Sequence, residues 1–168
     1  MKKIQLITAI ATVFLLAPVY SSCAEPPAPG DNLAAKVFTE EMAQRIFSAP
    51  VKPADRNKEA DIKNGAITVS RCSYSVTGDA ALPITVSLML RRAGSADEAK
   101  SIFLSSKSTY KGEAVAGLGD DAYHTTTPAQ LNVLKGSNWL IISAGAFPKE
   151  DRALQEKAAN EILKAIKD

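Results

Sequence analysis

The chain has 168 residues, 46% of them hydrophobic and 23% charged, which fits one globular domain and leaves no room for two. One His and two Cys exclude most metal sites and any disulfide framework. The formal charge of +2 comes from Lys2 and Lys3. Without them 18 basic side chains face 18 acidic ones, so the body offers nucleic acid no concentrated positive face.

Residues 1–23 have the layout of an export signal. Lys2 and Lys3 form a positive start, and Ile4 to Ala17 an apolar stretch interrupted by Gln5, Thr8 and Thr12. Pro18 then breaks the helix before the small residues Ser21, Ser22, Cys23 and Ala24. The apolar stretch is shorter than the ~20 residues of a membrane span. Val19-Tyr20-Ser21-Ser22-Cys23 resembles a bacterial lipobox, with Tyr20 where Leu is usual. In that reading Cys23 carries a lipid. The alternative is cleavage after Ala24 and a soluble periplasmic protein; separately, a Cys23 that is not lipidated leaves a Cys23–Cys72 disulfide open in an oxidising periplasm. Residues 24–35 are expected to be a tether, stiffened by Pro26, Pro27 and Pro29. By resemblance to the lipoproteins of two-membrane bacteria, Ala24 after the Cys implies the outer membrane, facing the periplasm.

The folded body is expected over residues 36–168. Thr39 is a good N-cap, Glu40 and Glu41 suit the positive end of a helix, and Met42, Ala43, Ile46 and Phe47 share one helical face. Pro50 and Pro53 end that helix, and residues 51–64 read as a polar loop. A strand follows from Gly65 to Val76. Its apolar phase flips between Ile67, Val69 and Cys72, Tyr74, Val76, which predicts a bulge near Ser70 and Arg71. Gly78-Asp79 marks a turn. Ile84, Val86, Leu88 and Leu90 then alternate with Thr85, Ser87, Met89 and Arg91, the clearest half-buried strand in the chain. Its cover is expected from Ile102 and Phe103 or from Leu154 and Ile162.

Ser95-Ala96-Asp97-Glu98 is a capping box that opens a helix running to about Tyr110. A Gly-rich turn over residues 115–122 leads into three strands, at 122–126, 130–134 and 138–144, the last two joined by Lys135-Gly136-Ser137-Asn138. Trp139-Leu140-Ile141-Ile142 is a continuous apolar run, as in a central strand covered on both faces. Leu154, Ala158, Ile162, Leu163 and Ile166 line a closing helix. The fold class is therefore α+β: an antiparallel β-sheet packed by helices, in the order α-ββ-α-βββ-α. This order, with Cys72-Ser73-Tyr74 on the first strand and Gly117-Leu118-Gly119-Asp120-Asp121-Ala122 before the third, resembles the PsbP-like α/β sandwich of small envelope lipoproteins of unknown function. The likeness spans residues 36–168 and implies no shared catalytic residues.

No residue cluster has catalytic spacing, and no cofactor is implied. His124 formally permits a Ser–His–acid arrangement, but no Gly-x-Ser-x-Gly elbow is present, and a strand His on a solvated face is the simpler expectation. Cys72 lacks a Cys-x-x-Cys partner and has only Arg71 beside it, so burial as a small apolar residue is expected. Gly117 and Gly119 follow a helix and open a strand, the reverse of a phosphate loop. Asp120 and Asp121 fall far short of a Ca²⁺ ligand set. Arg91, Arg92, Lys100, Lys107 and Lys111 make a charged face, interleaved with Asp97 and Glu98, open to solvent or to an acidic partner or lipid head groups.

Two functional classes remain. One is a non-catalytic envelope lipoprotein, anchored to the membrane through Cys23, that binds a protein partner or a small apolar ligand on an open sheet face or in a groove between sheet and helix. A lipid or small-ligand carrier is one version of it and needs a cavity. The other is a periplasmic hydrolase using His124 or Cys72.

Overall fold

The computed structural model describes residues 31–77 and 82–166. The signal segment, Cys23, most of the tether and the Gly78-Asp79 turn lie outside the described residues. The elements, in chain order, are α1 (Leu33–Val37), α2 (Glu40–Phe47), β1 (Lys52–Pro53), a 3₁₀ turn (Asp55–Lys58), β2 (Ile62–Asn64), β3 (Ile67–Thr77), β4 (Pro83–Arg92), α3 (Ala96–Thr109), β5 (Glu113–Ala114), β6 (Asp121–Thr126), β7 (Ala129–Lys135), β8 (Asn138–Ala146), β9 (Lys149–Glu150) and α4 (Arg152–Leu163). All strands belong to one antiparallel sheet in the order β1-β3-β4-β8-β7-β6-β5, with β2 added to β3 and β9 to β8. The α+β class read from the sequence is the one observed.

Strand pairing gives the sheet two distinct faces. Cys72, Tyr74, Val86, Leu88, Leu90, Leu131, Val133, Leu140 and Ile142 point to the first, where α1, α2 and α4 cover them with Phe38, Ile46, Ala158 and Ile162. Trp139, Ile141, Leu134, Tyr123 and Met89 point to the second, covered by α3 through Ala99, Ile102 and Phe103. β8 lies in the middle of the strand order, and its run Trp139-Leu140-Ile141-Ile142 is buried on both sides. Leu88 is thus covered by the closing helix and its neighbours, while Ile102 and Phe103 serve the opposite face.

The helix ends form as their sequences dictate. Thr39 Oγ1 accepts from Met42 N at 3.3 Å. Ser95 Oγ accepts from Glu98 N at 3.1 Å, and Glu98 reaches back to Gly94 N at 3.0 Å, one residue earlier than the usual capping-box partner. Gly119 sits at φ +58, where a Cβ would meet Leu134 O at 2.3 Å. Only Gly lets this turn press against the β7–β8 hairpin, and Asp120 completes the contact by accepting from Gly136 N at 2.6 Å.

Three expectations are corrected, and one strand is added. Residues 32–35, assigned to the tether, belong to the fold: Asn32 and Ala34 are buried, and Asn32 caps α1 by accepting from Ala35 N at 2.8 Å. The same side chain donates to Arg71 O at 2.9 Å and Glu59 O at 3.0 Å, which pins the chain start to β3. Residues 51–64 are not a plain loop, because β1 and β2 pair with the outer edge of β3. The bulge near Ser70 is absent, since β3 pairs with β4 without a skip from Thr68↔Arg92 to Thr77↔Pro83. The phase flip has another cause. Ser70 occupies a core-face position and is satisfied there, accepting from Ala34 N at 2.7 Å and donating to Asn32 Oδ1 at 2.9 Å, while Ile67 and Val69 face the other side. Finally, β5 pairs with β6 at the far edge, a strand too short for periodicity to reveal.

Register and cover lead to a contrast between neighbours. Leu88 is 1% exposed within the helix-covered core, and Ser87 lies on the opposite, open side. Leu88→Ala should cost ~2–5 kcal/mol in urea melts, and Ser87→Ala less than ~0.5 kcal/mol. Equal losses would contradict the register, since a one-residue slip exchanges the two faces.

Candidate functional site

On the first face α1, α2 and α4 bury the core strand side chains, whereas α3 spans only part of the second. Beyond it the strands present Arg71, Ser87, Met89, Arg91, Gln130 and Ser143 on this face. A cavity of about 150 Å³ opens where the C-terminal part of α3, at Ser106 and Tyr110, meets the sheet at Met89, Arg91, Tyr123, Gln130 and Ile141. A second depression of about 210 Å³ continues from it. The two share Met89, Gln130 and Ile141, and the second adds Arg56, Arg71, Ser87 and Ser143.

Rigid aromatic packing shapes the α3 end of this groove. Phe103 meets Tyr123 edge-on with ring centroids 4.9 Å apart and Trp139 at 6.0 Å. The polar tips are tied as well: Tyr123 Oη donates to Ser106 Oγ at 2.8 Å, and Trp139 Nε1 donates to Asn132 Oδ1 at 3.0 Å. Burial raises the pKa of Tyr123 above its ordinary value, the Ser106 bond and Arg91 acting against the shift.

Arg91 is the exceptional member. It pairs across the sheet with Trp139, and its guanidinium lies over the indole at 4.7 Å from the ring centroid. That stacking holds the cation in place. Its Nε–H is nevertheless buried without an acceptor among the described residues. Such a donor carries the desolvation penalty of an unmade hydrogen bond, larger for a charged group. No carboxylate lines either part of the groove among the described residues. The geometry is that of a small pocket with one stacked cation in its lining, an aromatic wall and an apolar floor.

The other residues singled out by sequence are distributed elsewhere. His124 is not on a solvated face: it is 4% exposed, on the helix-covered side, with Nε2 3.3 Å from Glu156 Oε1 of α4. Pairing of β6 with both β5 and β7 puts it beneath α4, an outcome that its threonine neighbours conceal. Cys72 is buried as expected, 1% exposed, with its sulfur 3.9 Å from Phe38 O. Cys72 on β3 and His124 on β6 are separated by four strand spacings, about 19 Å, so they do not meet as nucleophile and base. Asp121 takes Lys107 at 2.9 Å, and Asp120 takes the Gly136 amide and Lys135, so both acids serve the turn and the α3 contact. Arg92 donates to Asn138 Oδ1 at 2.9 Å. The charged face at the end of β4 therefore divides: Arg92 and Lys107 are structural, and Arg91 turns into the groove. Among the described residues no cluster of three or more His, Cys, Asp or Glu is placed to hold a metal ion, and no helix is long and apolar enough to cross a membrane.

No family model, curated protein or solved structure gives a significant match to the chain.

The core-face pair Cys72 and Tyr74 makes stability sensitive to alkali. Burial pushes the Cys72 thiol well above its ordinary value and pushes Tyr74 up to about 12, with Cys72 and Glu40 adding to the shift. Both are acids that are neutral in the fold and ionise more readily once unfolded. Their contribution is therefore complete below the unfolded values, near 9 for Cys and 10 for Tyr, and is lost as pH rises beyond them. Urea midpoints should be level up to about pH 8.5 and fall between about pH 9 and 11, less steeply in Cys72→Ala and Tyr74→Phe. A wild-type midpoint that stays constant to pH 11 would contradict this burial.

Proposed function

We propose that this protein is a non-catalytic binding module of the bacterial cell envelope, exported by residues 1–23 and held at the outer membrane by a lipid on Cys23. The tether from Ala24 to Asp31 sets the folded body off the membrane surface, and the groove beside α3 takes the ligand. The observation that carries the binding reading is Arg91, a cation stacked on Trp139 in the lining of a cavity that no carboxylate lines among the described residues. A few polar groups converging on a partly apolar hollow are what a ligand site presents.

The hydrolase alternative draws no support from residue placement. Cys72 is sealed beneath the helices, its thiol is held protonated by burial, and it lies four strands from His124. His124 has an acid neighbour in Glu156, but the pair sits on the face opposite the groove. The carrier version is favoured only for small ligands. The α3 end of the groove, about 150 Å³, matches a cavity filled by one benzene-sized molecule. The sandwich order and the two short motifs resembling the PsbP-like lipoproteins agree with an envelope accessory role.

One pair of variants tests anchor and groove together. Wild-type protein should fractionate with membranes and incorporate labelled fatty acid, and Cys23→Ser should do neither. In the released Cys23→Ser protein, a small-molecule extract of the envelope should shift the emission of Trp139, the single Trp of the chain, and Gln130→Phe, which fills the groove floor, should abolish that shift. A soluble wild-type protein beginning at Glu25 would overturn the anchor. An emission that ignores the extract would overturn the groove.

A further inference from the structure

We infer that the second depression, at the β3 end of the groove, seats a phosphomonoester dianion between the guanidiniums of Arg56 and Arg71. The inference rests on the binding-module reading and names the chemistry of its ligand. Arg91 and the cavity at the end of α3 supply none of the charge.

The depression of about 210 Å³ gathers cations that the fold itself does not use. Arg56 and Arg71 both line it, and both side chains are exposed. The chain's other four arginines have partners: Arg45 meets Glu161, Arg152 meets Glu113, Arg92 donates to Asn138, and Arg91 stacks on Trp139. Among the described residues neither the Arg56 nor the Arg71 guanidinium has an ion pair or a hydrogen bond. No carboxylate lines the depression among the described residues either. Two like charges bordering one hollow repel each other, and an anion between them removes that cost.

The backbones that carry the two cations are tied together. Asn32 Nδ2 donates to Arg56 O at 3.3 Å and to Arg71 O at 2.9 Å. Asn57, the neighbour of Arg56, exchanges two further bonds with β3: its Oδ1 accepts from Ser73 N at 2.8 Å, and its Nδ2 donates to Ser73 O at 3.0 Å. The 3₁₀ turn is thereby fixed on the margin of the sheet, with Arg56 beside Arg71. Much of the ordering that a ligand would otherwise impose is already in place.

The remaining polar groups decide between classes of anion. Ser87 and Ser143 are direct cross-strand partners on β4 and β8, and Ser87 stands one diagonal step from Arg71, about 7–8 Å away. Ser143 Oγ accepts from Gln130 Nε2 at 3.3 Å, which leaves its own O–H to donate. Two guanidinium forks and two hydroxyls therefore border the same space. A carboxylate or a phosphodiester brings one negative charge to these two cations. A phosphomonoester brings nearly two near neutral pH, spread over three strong acceptor oxygens, and arginine forks match such oxygens two at a time. Met89 and Ile141, shared with the α3 end, give the carbon body of the ester an apolar neighbour.

The test titrates the Cys23→Ser chain by calorimetry with glycerol 3-phosphate and with glycerate, a body of similar size carrying one charge. Glycerol 3-phosphate should bind saturably, at least about tenfold tighter than glycerate. Arg56→Gln and Arg71→Gln should each lose at least about tenfold in that affinity, and Arg71→Lys, which keeps the charge without the fork, should recover only part of the loss. Lys100→Gln, the same change of charge on an exposed position of α3, should behave as wild type. The comparison of the two probes needs no variant and stands whatever a substitution does to the fold. Vesicles of phosphatidylcholine doped with phosphatidic acid identify the source of the group. Co-sedimentation that glycerol 3-phosphate competes away assigns it to a lipid head group, and binding of the free ester without co-sedimentation assigns it to a soluble phosphate compound. Equal affinity for the two probes, no response to ester or vesicle, or unchanged affinity in both Gln variants would overturn the phosphomonoester assignment. The binding-module reading fails separately, if Trp139 emission also ignores the envelope extract.

Discussion

The fold depends on one demand: β8 must be covered on both faces. Trp139, Leu140, Ile141 and Ile142 follow one another without a polar residue, and in a strand consecutive side chains point to opposite sides. A single layer of helices cannot hide all four. The chain answers with α1, α2 and α4 over Leu140 and Ile142, and with α3 over Trp139 and Ile141. The position of β8 between β4 and β7 follows from the same demand, because an edge strand of this composition would present apolar surface and an open hydrogen-bond ladder together.

The two covers are unequal, and the groove is the result. Three helices fill the first face with aliphatic side chains at or near zero exposure. One helix of 14 residues serves the second, and it shields the Phe103, Tyr123 and Trp139 cluster without reaching Gln130, Ser143 or Ser87. The uncovered positions are correspondingly polar, and the strands alternate apolar and polar side chains across them. Arg91 stands at the boundary between covered and open regions, which is why it is stacked on an aromatic ring and yet lines the cavity.

Much of this was legible before any coordinates. The alternation of Ile84, Val86, Leu88 and Leu90 identified β4 and its inward face, because a period of two over a long run has no other reading. Thr39 and Ser95 marked two helix starts through the hydrogen bonds their side chains make to the backbone. The continuous apolar run marked β8 as a two-face strand. What escaped the sequence depends on partners distant in the chain. Asn32 looks like part of a polar tail, and its burial rests on carbonyls of Glu59 and Arg71. Ser70 breaks the apolar phase of β3, and only the backbone of α1 above it makes that position part of the core. His124 reads as a surface residue among threonines until α4 is laid over it.

The site was the least legible part, for the same reason. Arg91 is an ordinary strand-end arginine in sequence, and Trp139 an ordinary core aromatic. They meet only because β4 pairs with β8 in the register Arg91↔Trp139, a contact across 48 residues that periodicity does not encode. Gln130 and Tyr110 reach the same groove from two further elements. The expectation of export and a tether, by contrast, rests entirely on residues 1–30, which lie outside the described residues.

The claim that double cover of β8 organises the molecule is tested most directly by native-state hydrogen exchange, residue by residue. The account predicts that the amides of residues 140–142 exchange only through global unfolding, that those of α3 open at lower free energy, and that β1 and β2 at the sheet margin open first. If α3 or the margin strands proved as protected as β8, or if β8 exchanged ahead of them, the double cover would not be the constraint on which the structure rests.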